Sequence, residues 1–169
     1  LEQVRDLFLI GCLTGQRFSN YSNFCKKDVV GNTILVSDCK NKEKLLSIPL
    51  LKVTKQILTK YDYNLPVITN QKFNEYIKEV FELADFKMNT KQIRRFGKEI
   101  NEENIPFYKR ISSHTARRSF ITIMLNQGVP AKVIMSITGH TSLSVFIAYY
   151  KPDDDFKIKS MENAFQNLI

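Results

Sequence analysis

The sequence predicts a mainly α-helical domain that carries a small antiparallel β-sheet. Three observations lead there. Apolar residues recur at helical spacing in "EQVRDLFLIGCL" near the start, in "QKFNEYIKEVFELA" in the middle and in "DFKIKSMENAFQNL" at the end. Two short runs, "NTILVS" and "KLLSIPL", have strand character and flank a polar, basic turn, "DCKNKE". Between the helical stretches stand isolated glycines and prolines of the kind that stop and restart helices. The chain has 169 residues, 43% hydrophobic and 25% charged, which suits one globular domain with a buried core rather than a disordered or fibrous chain. No apolar run approaches the roughly 20 residues that span a bilayer, and no secretory leader pattern is present.

In order along the chain, Val4, Leu7, Phe8 and Cys12 share one helical face over residues 2–13, and the helix closes near Thr14-Gly15. A short helix follows Arg17. Strands are expected at 32–37 and 44–50, the second closed by Pro49, with a helix from about Leu51 to Tyr61. "LPVITN" reads as a loop. Residues 71–84 place Phe73, Ile77, Val80, Phe81 and Ala84 on one side of a helix. Residues 87–110 lack a clean period and fit either a basic hairpin or an irregular surface segment. Helical spacing returns from His114 to Asn126; Gly128 suits the stop and Pro130 the start of a further helix reaching about Thr138. Gly139 breaks it, Ser142 can cap a short helix running to Tyr149-Tyr150, and Pro152 ends that one. A last helix, 155–168, follows three aspartates suited to its N-terminal dipole. Residues 153–169 then form a C-terminal helical tail.

Lysine and arginine number 25 against 17 acidic residues, a net charge of +8. The excess is focused: residues 86–118 carry +6, residues 40–60 carry +5, and the rest of the chain sums to −3. Focused positive charge suits a surface that tracks phosphates. Cys12, Cys25 and Cys39 are too few and too widely spaced for a disulfide framework or a zinc site, so they read as structural thiols of a reduced cytoplasm. No metal site is expected. Leu1 in place of an initiator methionine suggests a domain cut from a longer chain.

Both histidines of the chain fall within residues 112–151, "SSHTARRSFITIMLNQGVPAKVIMSITGHTSLSVFIAYYK". His114 and Arg117 are three apart and share a helical face, so an imidazole and a guanidinium can converge on one phosphate-sized target. Gly139 frees His140 at a helix start, and Tyr149 follows nine residues later. A tyrosine hydroxyl, with a pKa near about 10, needs a base and nearby positive charge to act as a nucleophile. Upstream, Arg17 in "TGQRFSN" stands at a break between two helical segments, and Lys40, Lys42 and Lys44 decorate the turn between the strands. Taken singly, each has an ordinary structural explanation: a surface histidine, an aromatic cluster of Phe146, Tyr149 and Tyr150, a corner arginine, a solvated turn.

Their order is more informative. An arginine, a hairpin lysine, H-x-x-R, G-H and then a tyrosine resembles the signature of the tyrosine recombinases, the phage-type integrase family, over about Thr14 to Tyr150. "SSHTARRSF" and "TGQRFS" are similar to integrases of prophages and bacterial conjugative transposons. The resemblance implies the tyrosine recombinase catalytic-domain fold over residues 1–169, with the family's N-terminal DNA-binding domain lying outside this chain. It implies site-specific cleavage and rejoining of duplex DNA through a 3′-phosphotyrosyl intermediate, with neither metal nor ATP as cofactor. Tyr149 would be the nucleophile. Arg17 and Arg117 would hold the phosphate oxygens, His114 would accept or steer the tyrosine proton, and His140 would hydrogen-bond the phosphate. A hairpin lysine, Lys40 in preference to Lys42, would protonate the leaving 5′-oxygen. Lys42, Lys44, Arg94, Arg95, Lys109, Arg110 and Arg118 are candidate DNA contacts. Partners would be attachment-site DNA, further protomers assembling from dimer to tetramer, and accessory DNA-bending proteins, in a bacterial nucleoid and with no membrane. The sequence departs from the family at Asn20, where Glu or Asp usually follows the first arginine. Residues 155–168 resemble the segment that docks on a neighbouring protomer; packing on their own domain is the other expectation. Two further readings remain at this stage: a type IB topoisomerase-like enzyme, and a non-catalytic helix-turn-helix DNA-binding module built on residues 114–138.

Overall fold

The computed structural model describes residues 1–37, 45–97, 99–150, 152 and 154–166, with backbone alone for residues 94–96 and 99. Its centre is α1, Glu2–Thr14. The spacing of Val4, Leu7, Phe8 and Cys12 suggests a one-sided helix, but Asp6, Ile10, Gly11 and Thr14 are buried as well. The reason is that α1 is packed on several sides. Gly11 lets α5 (Ser113–Asn126) approach: a Cβ there would lie 2.9 Å from Ala116 Cβ and 2.8 Å from Tyr21 Cε1. On another side Phe8 meets Phe81 of α4 (Asn70–Leu83) edge to face, ring centroids 5.3 Å apart. Helix α2, Phe18–Tyr21, turns back and buries Tyr21 against α1.

Asp6 joins α1 to α3 (Lys52–Lys60). Its carboxylate accepts from Lys60 Nζ at 2.6 Å and Tyr61 OH at 2.8 Å, and from Arg5 Nη2 at 2.7 Å. Burial alone would raise the Asp6 pKa, but these donors outweigh it and the net shift is downward. Burial pushes the Cys12 thiol up to about 12, which makes it an inert packing group. Cys25 serves a local role: with Asp28 it closes a capping box on one turn of 3₁₀-helix at Lys26–Asp28. Cys39 lies outside the described residues.

The expected strands form β2, Thr33–Ser37, and β3, Leu45–Pro49, paired antiparallel with Ile34 opposite Ile48 and Val36 opposite Leu46. A two-residue strand, β1 (Val29–Val30), adds an edge by pairing with β2 across Gly31, giving a three-stranded meander. Ile34, Leu46 and Ile48 point into the core. A second, separate sheet is the hairpin β4 (Asn89–Phe96) and β5 (Glu99–Pro106), so the hairpin alternative for residues 87–110 is the one realised. A 3₁₀ turn, Phe107–Arg110, returns from it to the end of α4, where the rings of Phe86 and Phe107 are 6.0 Å apart.

The C-terminal half follows the glycine breaks. α5 gives way to α6 (Ala131–Thr138), closed by Gly139 in the left-handed region, and then to α7 (Leu143–Ile147), capped by Ser142. The helix expected to reach the tyrosines ends at Ile147, leaving Tyr149 and Tyr150 just beyond it. Phe120, Ile121, Ile134 and Phe146 form a second, smaller core. Helix α8, Asp154–Phe165, buries no residue and leaves Ile158, Met161 and Phe165 exposed. No helix among the described residues is long and apolar enough to cross a membrane.

Asp6→Asn should lower unfolding free energy at pH 7 by about 1–2 kcal/mol, since a charged acceptor of several hydrogen bonds is lost. The native pKa is depressed from the ordinary 3.8, so the contribution is complete above that value and is lost as pH falls below it. Urea melts should therefore show a wild-type advantage at pH 7 that closes in acid; an equal gap at both pH values would contradict the assignment.

Candidate active site

The site begins where α1 stops. Gly15 adopts φ 65°, its N–H returns to Gly11 O, and the chain then runs extended through Arg17 into α2. Only glycine fits, because a Cβ at Gly15 would lie 2.3 Å from Phe120 Cδ1. Gln16, fully buried, donates from Nε2 to Ile137 O at 2.6 Å and accepts from Asn20 Nδ2 at 3.2 Å. The corner carrying Arg17 is thereby tied to the last turn of α6, and Asn20 is part of the tie.

Arg117 reaches the same corner from α5. Its side chain is 1% exposed; Nη1 donates to Gly15 O at 2.9 Å, and Nη2 lies 3.1 Å from His140 Nε2 and 3.2 Å from Nδ1. His140 follows the Gly139 break, its own N–H held by Met135 O at 3.1 Å. Thr138 Oγ1 lies 2.7 Å from His140 Nδ1 and donates to Ile134 O at 2.8 Å. His114 sits in the first turn of α5. That turn is fixed by Ser112, whose N–H meets Thr115 Oγ1 at 3.0 Å, and by Asn74 Oδ1 of α4, which accepts from Ser113 N at 2.7 Å.

Tyr149 lies between the two imidazoles, its ring centroid 5.3 Å from that of His114 and 5.2 Å from that of His140. Tyr150 is directed elsewhere: its hydroxyl donates to Asn126 Oδ1 at 2.8 Å. A cleft of about 380 Å³ is lined by Arg17, Phe18, Asn70, Ser113, His114 and Arg117. Arg17 also lines a neighbouring opening with His140, Ser142 and Tyr149, so it borders both. Partial burial, then the positive charges of Arg117, Arg118 and Arg17, hold the His114 imidazole below its ordinary pKa. A histidine held toward its neutral form beside a phenol, with guanidiniums at the floor and rim, has the chemistry to receive a phosphate diester and to take a proton from the phenol.

Five of the six candidate chemical residues, Arg17, His114, Arg117, His140 and Tyr149, therefore come together. Lys40, with Lys42 and Lys44, lies outside the described residues. Arg118 is exposed and lines a shallow opening with His114 and Tyr149. Lys109 and Arg110 stand on the 3₁₀ turn, and Arg110 Nη1 is bonded to Thr90 Oγ1 at 3.0 Å and Lys91 O at 3.2 Å, holding that turn to β4. Arg94 and Arg95 are placed on β4 by the backbone alone. Sequence reasoning missed Gln16, Asn74 and Thr138. The only signal for the first and last was position, one residue before Arg17 and two before His140. Among the described residues no cluster of His, Cys, Asp and Glu is arranged to hold a metal ion.

The sequence model of the phage integrase family matches residues 3–155. The chain belongs to the phage integrase family. Among solved structures, the integrase of transposon Tn1549 in complex with a circular intermediate DNA superposes with a TM-score of 0.66 at 18% identity, over 96% of this chain and 59% of that one. XerA recombinase gives 0.64 at 16% identity, over 96% and 62%. The catalytic domain of bacteriophage HP1 integrase gives 0.56 at 18%, over 85% and 71%. At such identities the likeness speaks for the fold, and the chain spans only about 59% of the Tn1549 integrase chain. No curated protein matches the sequence.

His114 should titrate below 6.5 in histidine NMR spectra, and Arg118→Gln should raise the midpoint, since removing a nearby positive charge favours the imidazolium. A midpoint at or above 6.5 in the unmodified protein would contradict the described electrostatics.

Proposed function

We propose that this chain is the DNA-cleaving and rejoining domain of a site-specific tyrosine recombinase. One observation carries the reading: the Tyr149 ring sits between His114 and His140, beside a guanidinium buried at the junction of α1, α5 and α6. Tyr149 Oη attacks a backbone phosphorus while His114, neutral near pH 7, takes its proton. Arg117, Arg17 and His140 hold the non-bridging oxygens as charge gathers on the pentacoordinate phosphorus. The bond to the 5′-oxygen breaks, leaving a 3′-phosphotyrosine. Lys40, or Lys42 beside it, gives that oxygen its proton. A second strand's 5′-hydroxyl then attacks the adduct, and the steps run in reverse. One phosphodiester is exchanged for another through an ester of similar energy, so the cycle draws on no nucleotide and no metal.

Support for a DNA substrate comes from the focused positive charge and from neighbours of this fold solved on DNA, the Tn1549 integrase and XerH on its difH substrate. Arg118 beside the site, Lys42, Lys44, Lys109 and the β4 arginines Arg94 and Arg95 would track the phosphates. Arg110, committed to β4 on one side, would contribute mainly by holding that hairpin in place. The exposed apolar face of α8 suits docking between protomers on DNA rather than packing at home. A bacterial cytoplasm, with the protein working on the nucleoid and with accessory bending proteins, is the setting that fits.

The full-length protein, mixed with nicked suicide DNA bearing the element's own attachment site, should give a denaturant-stable adduct. Tyr149→Phe should abolish the adduct and Tyr150→Phe should keep it. Tight binding of that DNA with no adduct would instead favour a non-catalytic DNA-binding module.

A further inference from the structure

The polar contacts of His140 include one that the proposed chemistry leaves without a task. Thr138 is fully buried in the last turn of α6, and its Oγ1 touches two groups at once: Ile134 O at 2.8 Å and His140 Nδ1 at 2.7 Å. A hydroxyl has one proton and two lone pairs, whereas a carbonyl oxygen only accepts. The proton of Thr138 therefore goes to Ile134, and toward His140 the threonine presents a lone pair. The matching partner is an Nδ1 that carries hydrogen. Arg117 Nη2 can only donate, and it lies 3.1 Å from Nε2 and 3.2 Å from Nδ1; with the Nδ1 hydrogen given to Thr138, Nε2 is the acceptor left for it. The opposite tautomer would set two lone pairs 2.7 Å apart at Thr138.

We infer that Thr138 is a positioning residue that fixes the tautomer of His140: its buried hydroxyl accepts from Nδ1–H, so in the DNA-free protein Nε2 is the ring nitrogen left to accept from Arg117. Nε2 donates to an entering phosphate oxygen once it has taken up a proton, with Nδ1–H still held by Thr138. The inference rests on the recombinase reading for its catalytic consequence, but the tautomer is a property of the protein without DNA. Which ring nitrogen bears hydrogen is set by the bond the other one makes, and Thr138 makes that bond. The αL turn at Gly139 is what brings it about. Closing α6 at that point folds His140 back over the residue two positions earlier, so the side chain that ends the helix becomes the side chain that orients the imidazole.

The chain has only two histidines, so long-range ¹⁵N correlation spectra resolve both rings, and a His114→Gln variant assigns them. In the DNA-free wild type at neutral pH, His140 should show a protonated Nδ1 and an Nε2 with acceptor character. Thr138→Val, which keeps the shape and removes the hydroxyl, should mix the two tautomers, and Thr138→Ser should restore the wild-type pattern. In suicide-substrate cleavage by the full-length protein, Thr138→Val should be slower by about tenfold or more while Thr138→Ser stays near wild type. A His140 protonated at Nε2 in the wild type, or a Thr138→Val protein with unchanged tautomer and cleavage rate, would overturn the inference. The spectra need no catalysis. A full-length protein that shows the tautomer and its loss in Thr138→Val, yet cleaves nothing, would retire the recombinase reading and support the role of Thr138.

Discussion

A guanidinium removed from water has to find its partners inside the protein, and the architecture of this domain is organised around one such group. Arg117, 1% exposed, donates to the carbonyl of Gly15 and lies against His140. Those contacts require the end of α1, the first turns of α5 and the exit of α6 to meet at one point. Removing the end of α1 or the exit of α6 would leave a buried cation short of an acceptor. The site is therefore assembled as a condition of folding.

Around that point further hydrogen bonds tie the elements together. Gln16 links the Arg17 corner to α6, Asn74 links α4 to the start of α5, and Thr138 links α6 to the imidazole that follows it. Tyr149 is held differently. It lies past the end of α7 and meets the site through ring contacts with His114 and His140. Arg117 and His140 are thus set by hydrogen bonds within packed helices, while the phenol comes from a segment outside regular structure.

Much of this was legible in the sequence because the signals were local. Helical spacing over residues 71–84 and the glycines at 15, 128 and 139 mark elements whose limits depend on near neighbours. The residues gathered at the candidate site were picked out through their order along the chain, since no single one of them is distinctive. What stayed hidden has physical reasons. The hairpin β4–β5 stood only as one of two alternatives, because it leaves Ile93 and Ile100 exposed, buries little and so writes no alternation of apolar and polar residues. β1 is two residues long and exists through its pairing with β2. Asp6 and Gln16 are polar residues on or beside a helix, and nothing nearby announces that Lys60 and Ile137 will bury them. Thr138 looks like an ordinary helix-end residue until the turn at Gly139 brings His140 over it.

Gly15 has no side chain with which to act on a substrate, yet its carbonyl holds Arg117, its left-handed backbone turns the chain toward Arg17, and Phe120 closes the space where a Cβ would go. Any substituent there moves the acceptor of the buried guanidinium and the backbone leading to Arg17 together. In a deep mutational scan for the proposed strand exchange, this position would behave like a member of the chemical machinery, intolerant of every replacement, including alanine. Such profiles score the consequence of a change and are blind to its cause, so a backbone oxygen can carry the signature usually credited to a reactive side chain.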